Sequence, residues 1–198
     1  MKLHANIDDM ALIVKDLLPR DLFLQVADFD FASVKDKKRQ DSLIDWPREL
    51  YVDDTPENNR TMESVKTVIN LAVCLKGEYE FVDPIFKEVL DIIKGCEYIP
   101  FKDNSSLVLN YYEYAKHAGI NWHTDQDYTL NYSFYIHKKW DKDWGGETLI
   151  DTERGLPLAA IPFPNSMCVI KNGIWHRVSP VLGPEKRKVL QIRGRFYE

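Results

Sequence analysis

The sequence predicts an α+β fold, with helices packed against the outside of a β-sandwich or jelly roll. Two observations carry this. Apolar residues recur at helical spacing in the first half, and after about residue 98 the period changes to short runs rich in β-branched and aromatic residues, separated by Gly, Pro, Asn and Asp. A third observation bounds the size: 198 residues, 44% of them hydrophobic, suit one domain with a core that needs no disulfide or structural metal.

The elements follow in order. Residues 7–18 carry apolar side chains at helical spacing and end at Pro19, which cannot continue a helical ladder, so they read as a first helix. Residues 21–60 give no clear pattern. Thr61 to Leu75 reads as a second helix, with Met62, Val65, Val68, Ile69, Ala72 and Val73 on one side and Gly77 just past its end. A third begins at Asp83, where an N-cap Asp and Pro84 introduce Ile85, Phe86, Val89, Leu90, Ile92 and Ile93 before Gly95. Strands are expected at 107–112, 128–136, 147–150, 166–170 and 188–192. No internal repeat or low-complexity linker divides the chain, so residues 1–198 read as a single domain: 1–100 mainly helical support, 101–198 a jelly-roll core.

Charge narrows the partners. Twenty-six basic and 31 acidic residues give a net charge of −5, which disfavours nucleic acid and anionic membranes as partners. The basic run Lys35 to Arg39 is broken by Asp36 and reads as a solvated loop. Cys74, Cys96 and Cys168 are odd in number, have no CxxC spacing and lie in or beside apolar runs, as expected of reduced buried thiols; a cytoplasmic location follows. There is no apolar leader and no uncharged stretch of about 18 residues, so secretion and membrane insertion are not expected. The oligomeric state stays open.

The chemistry concentrates in Trp122-His123-Thr124-Asp125. On an extended segment, side chains two apart share a face, so His123 and Asp125 present an imidazole and a carboxylate together. His176, in Ile174-Trp175-His176-Arg177-Val178, offers a third ligand at the edge of an expected strand. Two neutral nitrogens and one carboxylate leave half an octahedron open, the arrangement that non-haem Fe(II) needs to take a chelating cosubstrate and then oxygen.

Two longer segments carry a family resemblance. Tyr135 to Thr148, with Trp140 and Gly145-Gly146-Glu147-Thr148, resembles the Y-L-N-x-x-W-x-x-x-x-G-G-E-T strand and turn of the prolyl-4-hydroxylase-like Fe(II)/2-oxoglutarate dioxygenases. His176 followed by Val178, Pro180, Val181, Gly183 and Arg187 is similar to that family's H-x-V-x-P-V-x-x-G-x-R run. The likeness covers roughly residues 105–197.

The resemblance implies a double-stranded β-helix, a cupin-like jelly roll, with His123, Asp125 and His176 as the catalytic metal ligands. It implies Fe(II) and 2-oxoglutarate as cofactors, ascorbate as reductant and O2 as cosubstrate. The expected reaction is hydroxylation of an unactivated C–H bond in a peptidyl proline, a free amino acid or another small molecule, with succinate and CO2 as coproducts. The carboxylate of Asp125 occupies the position a halide would need, which favours hydroxylation over halogenation. Arg187 would hold the distal carboxylate of 2-oxoglutarate through a planar fork. Because Pro184-Glu185-Lys186 lengthens the usual link, Lys186 or Arg193 are alternatives, and Arg193 could equally anchor substrate. Asn110-Tyr111 resembles the family's N-Y pair, giving Tyr111 a cosubstrate hydrogen bond, with Tyr112 or Tyr114 as alternatives because the following loop is long. Asn131 stands in the place of a family threonine with the same role. A catalytically inactive cupin-like metal- or ligand-binding protein is the competing reading.

The remaining features read plainly. His4 and His117 suit variable surface positions, and His137 is expected to be a surface side chain in a turn. Gly145 and Gly146 suit positive φ in a tight turn. Trp122 and Trp175 neighbour two candidate ligands and could border a substrate mouth.

Overall fold

In a computed structural model of the chain, the residues described are 1–7, 10–34, 51–53, 65–75, 78–99, 105–125, 130–152 and 155–196. The basic run at 35–39 lies outside them. Among the described residues thirteen strands form two antiparallel sheets, in agreement with a jelly roll. The larger has the order β1 (Lys2–Ile7), β2 (Ala11–Lys15), β11 (Ser166–Lys171), β8 (Leu130–Tyr135), β13 (Arg187–Phe196), β6 (Ser105–Tyr114), β4 (Val65–Leu75) and β5 (Glu78–Phe81). The smaller has the order β10 (Leu158–Ala160), β9 (Thr148–Ile150), β12 (His176–Val178), β7 (Ala118–His123) and β3 (Tyr51–Asp53).

Strand alternation divides the larger sheet between two cores. Leu109, Tyr111, Tyr132, Phe134, Val169, Leu190 and Ile192 face helices α1 (Arg20–Ala27) and α2 (Pro84–Lys94), packing on Leu22, Phe23, Val26, Phe86, Val89, Leu90 and Ile93. Tyr112, Tyr114, Tyr135, Cys168, Ile170 and Val189 face the other way, against Ala118, Ile120, Ile150 and Val178 of the smaller sheet. The second core is where the polar cavity described below opens.

The third expected helix forms as read: the Asp83 carboxylate accepts from the Ile85 N–H at 2.9 Å, Pro84 occupies the first turn, and Gly95 closes α2. The five expected strands also form, with β6 and β13 longer than read. Gly145 and Gly146 both take φ of 69°.

The first two expected helices do not form. Residues 7–18 instead carry the end of β1, a turn and β2, and Pro19 starts α1 rather than ending a helix: the Phe23 N–H bonds the Pro19 carbonyl at 2.9 Å. Ala11-Leu12-Ile13-Val14 sits between β1 and β11 and is covered on both faces, so it is apolar on both and imitates a helical stripe. Residues 65–75 form β4, a strand between β5 and β6. Two register shifts against β6, between Lys66 and Ile69 and between Asn70 and Ala72, break the alternation that would have revealed a strand. The division into a helical first half and a stranded second half is therefore corrected. Four strands from the first hundred residues extend the main sheet, and among the described residues only α1 and α2 cover it as helices.

Candidate metal centre

Strand β7 ends at His123, and β12 begins at His176; the two residues are direct partners across the ladder. The next paired couple is Ile120 with Val178, so β7 spends three steps where β12 spends two. In an unbroken strand Ile120 and His123 would point to opposite faces. The extra residue is a β-bulge, and it turns both inward. Trp122 is displaced outward by the same irregularity, 37% exposed, with the Arg177 guanidinium 6.0 Å from its ring.

Asp125 lies two residues beyond β7. One nitrogen of each imidazole and one carboxylate oxygen all lie within 4.8 Å of one another. The His176 Nε2 stands 3.5 Å from Asp125 Oδ2, and the ring centroids of His123 and His176 are 4.3 Å apart.

Main-chain carbonyls set the tautomers. His123 Nδ1 lies 2.8 Å from the Asn121 carbonyl, and His176 Nδ1 lies 2.9 Å from the Ile174 carbonyl. A carbonyl only accepts, so each Nδ1 carries the proton and each Nε2 keeps its lone pair for a metal. Burial, followed by the neighbouring His176, lowers the His123 pKa. For Asp125 burial opposes ionisation, but the adjoining His176 imidazole and the Arg193 charge outweigh it and hold the carboxyl at about 2. The three side chains thus present two neutral nitrogens and a carboxylate, a donor set that fits Fe(II).

Asn131 touches this centre directly. Its Nδ2 donates to Asp125 Oδ2, its Oδ1 accepts from Gln191 Nε2, and Gln191 Oε1 accepts from Ser133 Oγ at 3.0 Å. The chain runs one way, each group donating towards the carboxylate, and so fixes which amide atom of Asn131 faces Asp125. Gln191 and Ser133 were not singled out in the sequence; their signal is alternation, since 187, 189, 191 and 193 on β13 and 131, 133 and 135 on β8 share the inward face.

A cavity that opens to solvent lies beside the centre, lined by His123, Asn131, His176 and Arg187 among others. Arg187 closes its deep end. It is 2% exposed, stands 4.7 Å from the Tyr114 ring centroid and 5.0 Å from that of Tyr135, and donates from Nη2 to Thr148 Oγ1 at 3.2 Å. Its Nε has no hydrogen-bond partner, a buried donor that an anion in the cavity would satisfy. Gly146 makes room for it: a Cβ there would sit 3.2 Å from Arg187 Cδ. Lys186 points elsewhere, pairing with Glu113 at 2.5 Å on the surface. Arg193 is also inward and buried, with Nη1 donating to the Tyr112 hydroxyl at 3.0 Å.

Two expectations fail here. Tyr111 faces the helices, not the cavity: its ring stacks on Phe31 at 3.8 Å and its hydroxyl donates to Glu113 at 2.9 Å. The neighbouring residues Tyr112 and Tyr114 take the inward face, because adjacent positions on a strand must alternate. His137 is not a surface side chain but 4% exposed. Its Nε2 donates to the Pro162 carbonyl at 2.5 Å and its Nδ1 accepts from the Lys188 N–H at 3.4 Å, with burial pushing its pKa down to about 4. It bridges the turn after β8 to the start of β13. Trp175, 52% exposed, and Trp122 stand beside the two histidines on the outside.

Residues 108–192 match the model of the 2OG-Fe(II) oxygenase superfamily. Solved structures share the fold at low identity. A prolyl-4-hydroxylase from Pseudomonas putida superposes with a TM-score of 0.56 at 17% identity, over 95% of this chain and 93% of that one. A prolyl hydroxylase from Trichoplax adhaerens, in complex with a hypoxia inducible factor oxygen degradation domain peptide, gives 0.55 at 12% identity over 95% and 84%. IDO from Bacillus thuringiensis gives 0.59 at 14% identity over 96% and 94%. No curated protein matches the chain.

Proposed function

We propose that this chain, whose residues 108–192 match the 2OG-Fe(II) oxygenase superfamily model, is a dioxygenase dependent on Fe(II) and 2-oxoglutarate that hydroxylates an unactivated C–H bond of a peptidyl proline, a free amino acid or another small molecule. The observation that carries the site assignment is the convergence of His123, Asp125 and His176 with both Nδ1 protons held by main-chain carbonyls.

In this reading those three residues hold Fe(II), and Arg187 with Thr148 receives the far carboxylate of 2-oxoglutarate. When bound, the iron and cosubstrate supply the oxidant: O2 is split between succinate, formed with loss of CO2, and the hydroxyl inserted into the substrate C–H bond. The protein's own part is to set coordination geometry, to keep Asp125 ionised through Asn131 and Arg193, and to line the cavity with Tyr114, Ile120 and Ile170. Arg187 contributes a planar two-point contact inside low-dielectric walls, where a charged hydrogen bond is strongest. Ascorbate would serve as the reductant that keeps iron ferrous.

The test is 2-oxoglutarate-dependent succinate formation with Fe(II), read beside Co(II) affinity. His123→Ala and Asp125→Ala abolish both, and Arg187→Lys raises the KM for 2-oxoglutarate by about 10- to 100-fold. Succinate formation surviving in the ligand variants overturns the assignment. Metal binding with no 2-oxoglutarate consumption points instead to a catalytically inactive metal-binding jelly roll.

A further inference from the structure

Strand β10 lies at the edge of the smaller sheet. It pairs with β9 on one side, and among the described residues no strand pairs with it on the other. In an antiparallel ladder every second residue turns both its N–H and its C=O away from its partner, so β10 holds free backbone donors and acceptors at that edge. One cross-strand row joins the edge to the metal centre: Leu158 pairs with Ile150, Ile150 with His176 and His176 with His123. Direct partners share a face, so Leu158 stands on the ligands' side of the sheet, about 10 Å from His176 at two strand spacings.

Burial stops abruptly along this row. Ile150 is fully buried, whereas Leu158 beside it is 43% exposed. Leu156, two residues earlier, is 76% exposed, and its carbonyl accepts from Thr152 Oγ1 at 2.8 Å, which ties it back to the end of β9. Single apolar side chains in solvent are ordinary, but a pair on a free strand edge in line with two metal ligands marks an interaction site. The edge also selects the occupant. An acyl chain or a small apolar molecule would cover the leucines and leave the backbone groups unmatched. An extended polypeptide matches both, pairing its backbone with β10 and setting alternate side chains against Leu156 and Leu158. A strand added there lies about 15 Å from His176, a gap that about four or five extended residues cross.

We infer that the free edge of β10, with Leu156 and Leu158, docks an extended apolar segment of a polypeptide substrate, about four or five residues from the residue that is oxidised. The inference rests on the oxygenase reading and narrows its substrate class to polypeptides. A second copy of this chain, paired edge to edge, is the rival occupant.

Fluorescence anisotropy on the full chain, loaded with Co(II) and 2-oxoglutarate so that no turnover occurs, tests it. The probes are an array of capped dodecapeptides, and the tightest binder is remade with alternate backbone nitrogens methylated along one edge or the other. Methylation of the edge that meets β10 weakens binding about 10-fold or more, and methylation of the opposite edge about twofold or less. Leu158→Lys weakens the unmethylated peptide about fivefold or more, and Leu158→Met binds it as the unaltered chain does. With Fe(II), the same peptide raises succinate formation, and methylation of the docking edge raises its KM while leaving kcat unchanged. The inference is overturned if no peptide binds, if both methylated peptides bind alike, if Leu158→Lys binds as tightly as the unaltered chain, or if sedimentation shows a dimer that Leu158→Lys dissolves. Failure of the oxygenase reading looks different: peptides keep their edge preference, but 2-oxoglutarate does not bind to the Co(II)-loaded protein and Fe(II) supports no succinate formation.

Discussion

His123 and His176 are direct partners across the β7–β12 ladder, which puts both imidazoles on one face, and the extra residue that β7 carries before the next pair lets Ile120 share that face with His123. The bulge thereby keeps Ile120 in the cavity wall beside the metal centre although it contributes no ligand.

Removing that extra residue leaves Ile120 and His123 two apart, so alternation alone keeps both on the inner face opposite Val178 and His176. Deletion of Asn121 is therefore expected to keep Co(II) affinity within about tenfold. Metal titration checks this, with circular dichroism showing that the sheets persist. A loss of about 100-fold or more would mean that the bulge positions His123 beyond setting its face.

The one-way chain from Ser133 through Gln191 and Asn131 to Asp125 predicts an effect at a distance from the metal. Gln191→Leu frees the Asn131 amide to rotate and exposes Asp125 to a carbonyl oxygen in place of an N–H. Metal affinity should fall about 10- to 100-fold, as for other residues that orient ligands. Asn131→Leu should fall as far or further. Unchanged affinity in both would remove the chain from any role at the centre.

The face assignment on β6 separates three neighbouring tyrosines. Tyr111→Phe loses the hydroxyl bond to Glu113 and should cost about 1 kcal/mol of stability while leaving the KM for 2-oxoglutarate unaltered. Tyr114→Leu removes the ring beside Arg187 and should raise that KM severalfold. The reverse pattern would place Tyr111 in the cavity.

His137 predicts a pH dependence of stability. Its pKa falls from 6.5 to about 4 on folding, because burial disfavours the charged ring and the charge of Arg187 adds to this. The unfolded chain therefore binds a proton that the folded chain refuses between these values. Stability is fully present above about pH 6.5, is lost as pH falls towards 4, and levels below it, by at most about 3 kcal/mol from this residue. Urea denaturation across that range checks it. His137→Gln should flatten the slope, and an unchanged slope would assign it to other groups.

The local chemistry was legible in the sequence wherever it depended on near neighbours. Asp83-Pro84 and Gly95 delimit a helix through contacts made within a few residues, and Gly145-Gly146 marks a turn through backbone freedom alone. The spacing of His123 and Asp125 placed two donors on one side of an extended segment, and the order of motifs up to Arg187 pointed to Fe(II) and 2-oxoglutarate. What failed was whatever depended on distant partners. Strand β2 was obscured because cover on both faces makes it apolar on both, and β4 because two bulges break its alternation. Tyr111 was misplaced by a single residue, which on a strand reverses the face.

The sequence by itself determined the ligand types, the buried arginine candidates and the jelly-roll class, since these follow from side-chain chemistry and short-range periodicity. Only the tertiary structure decided which face each residue presents: that Arg187 rather than Lys186 enters the cavity, that Asn131 serves Asp125, and that Arg193 also turns inward. The physical reason is strand register. It is set by pairing between segments as far apart as β7 and β12, and a shift of one residue exchanges the inside of the barrel for the outside.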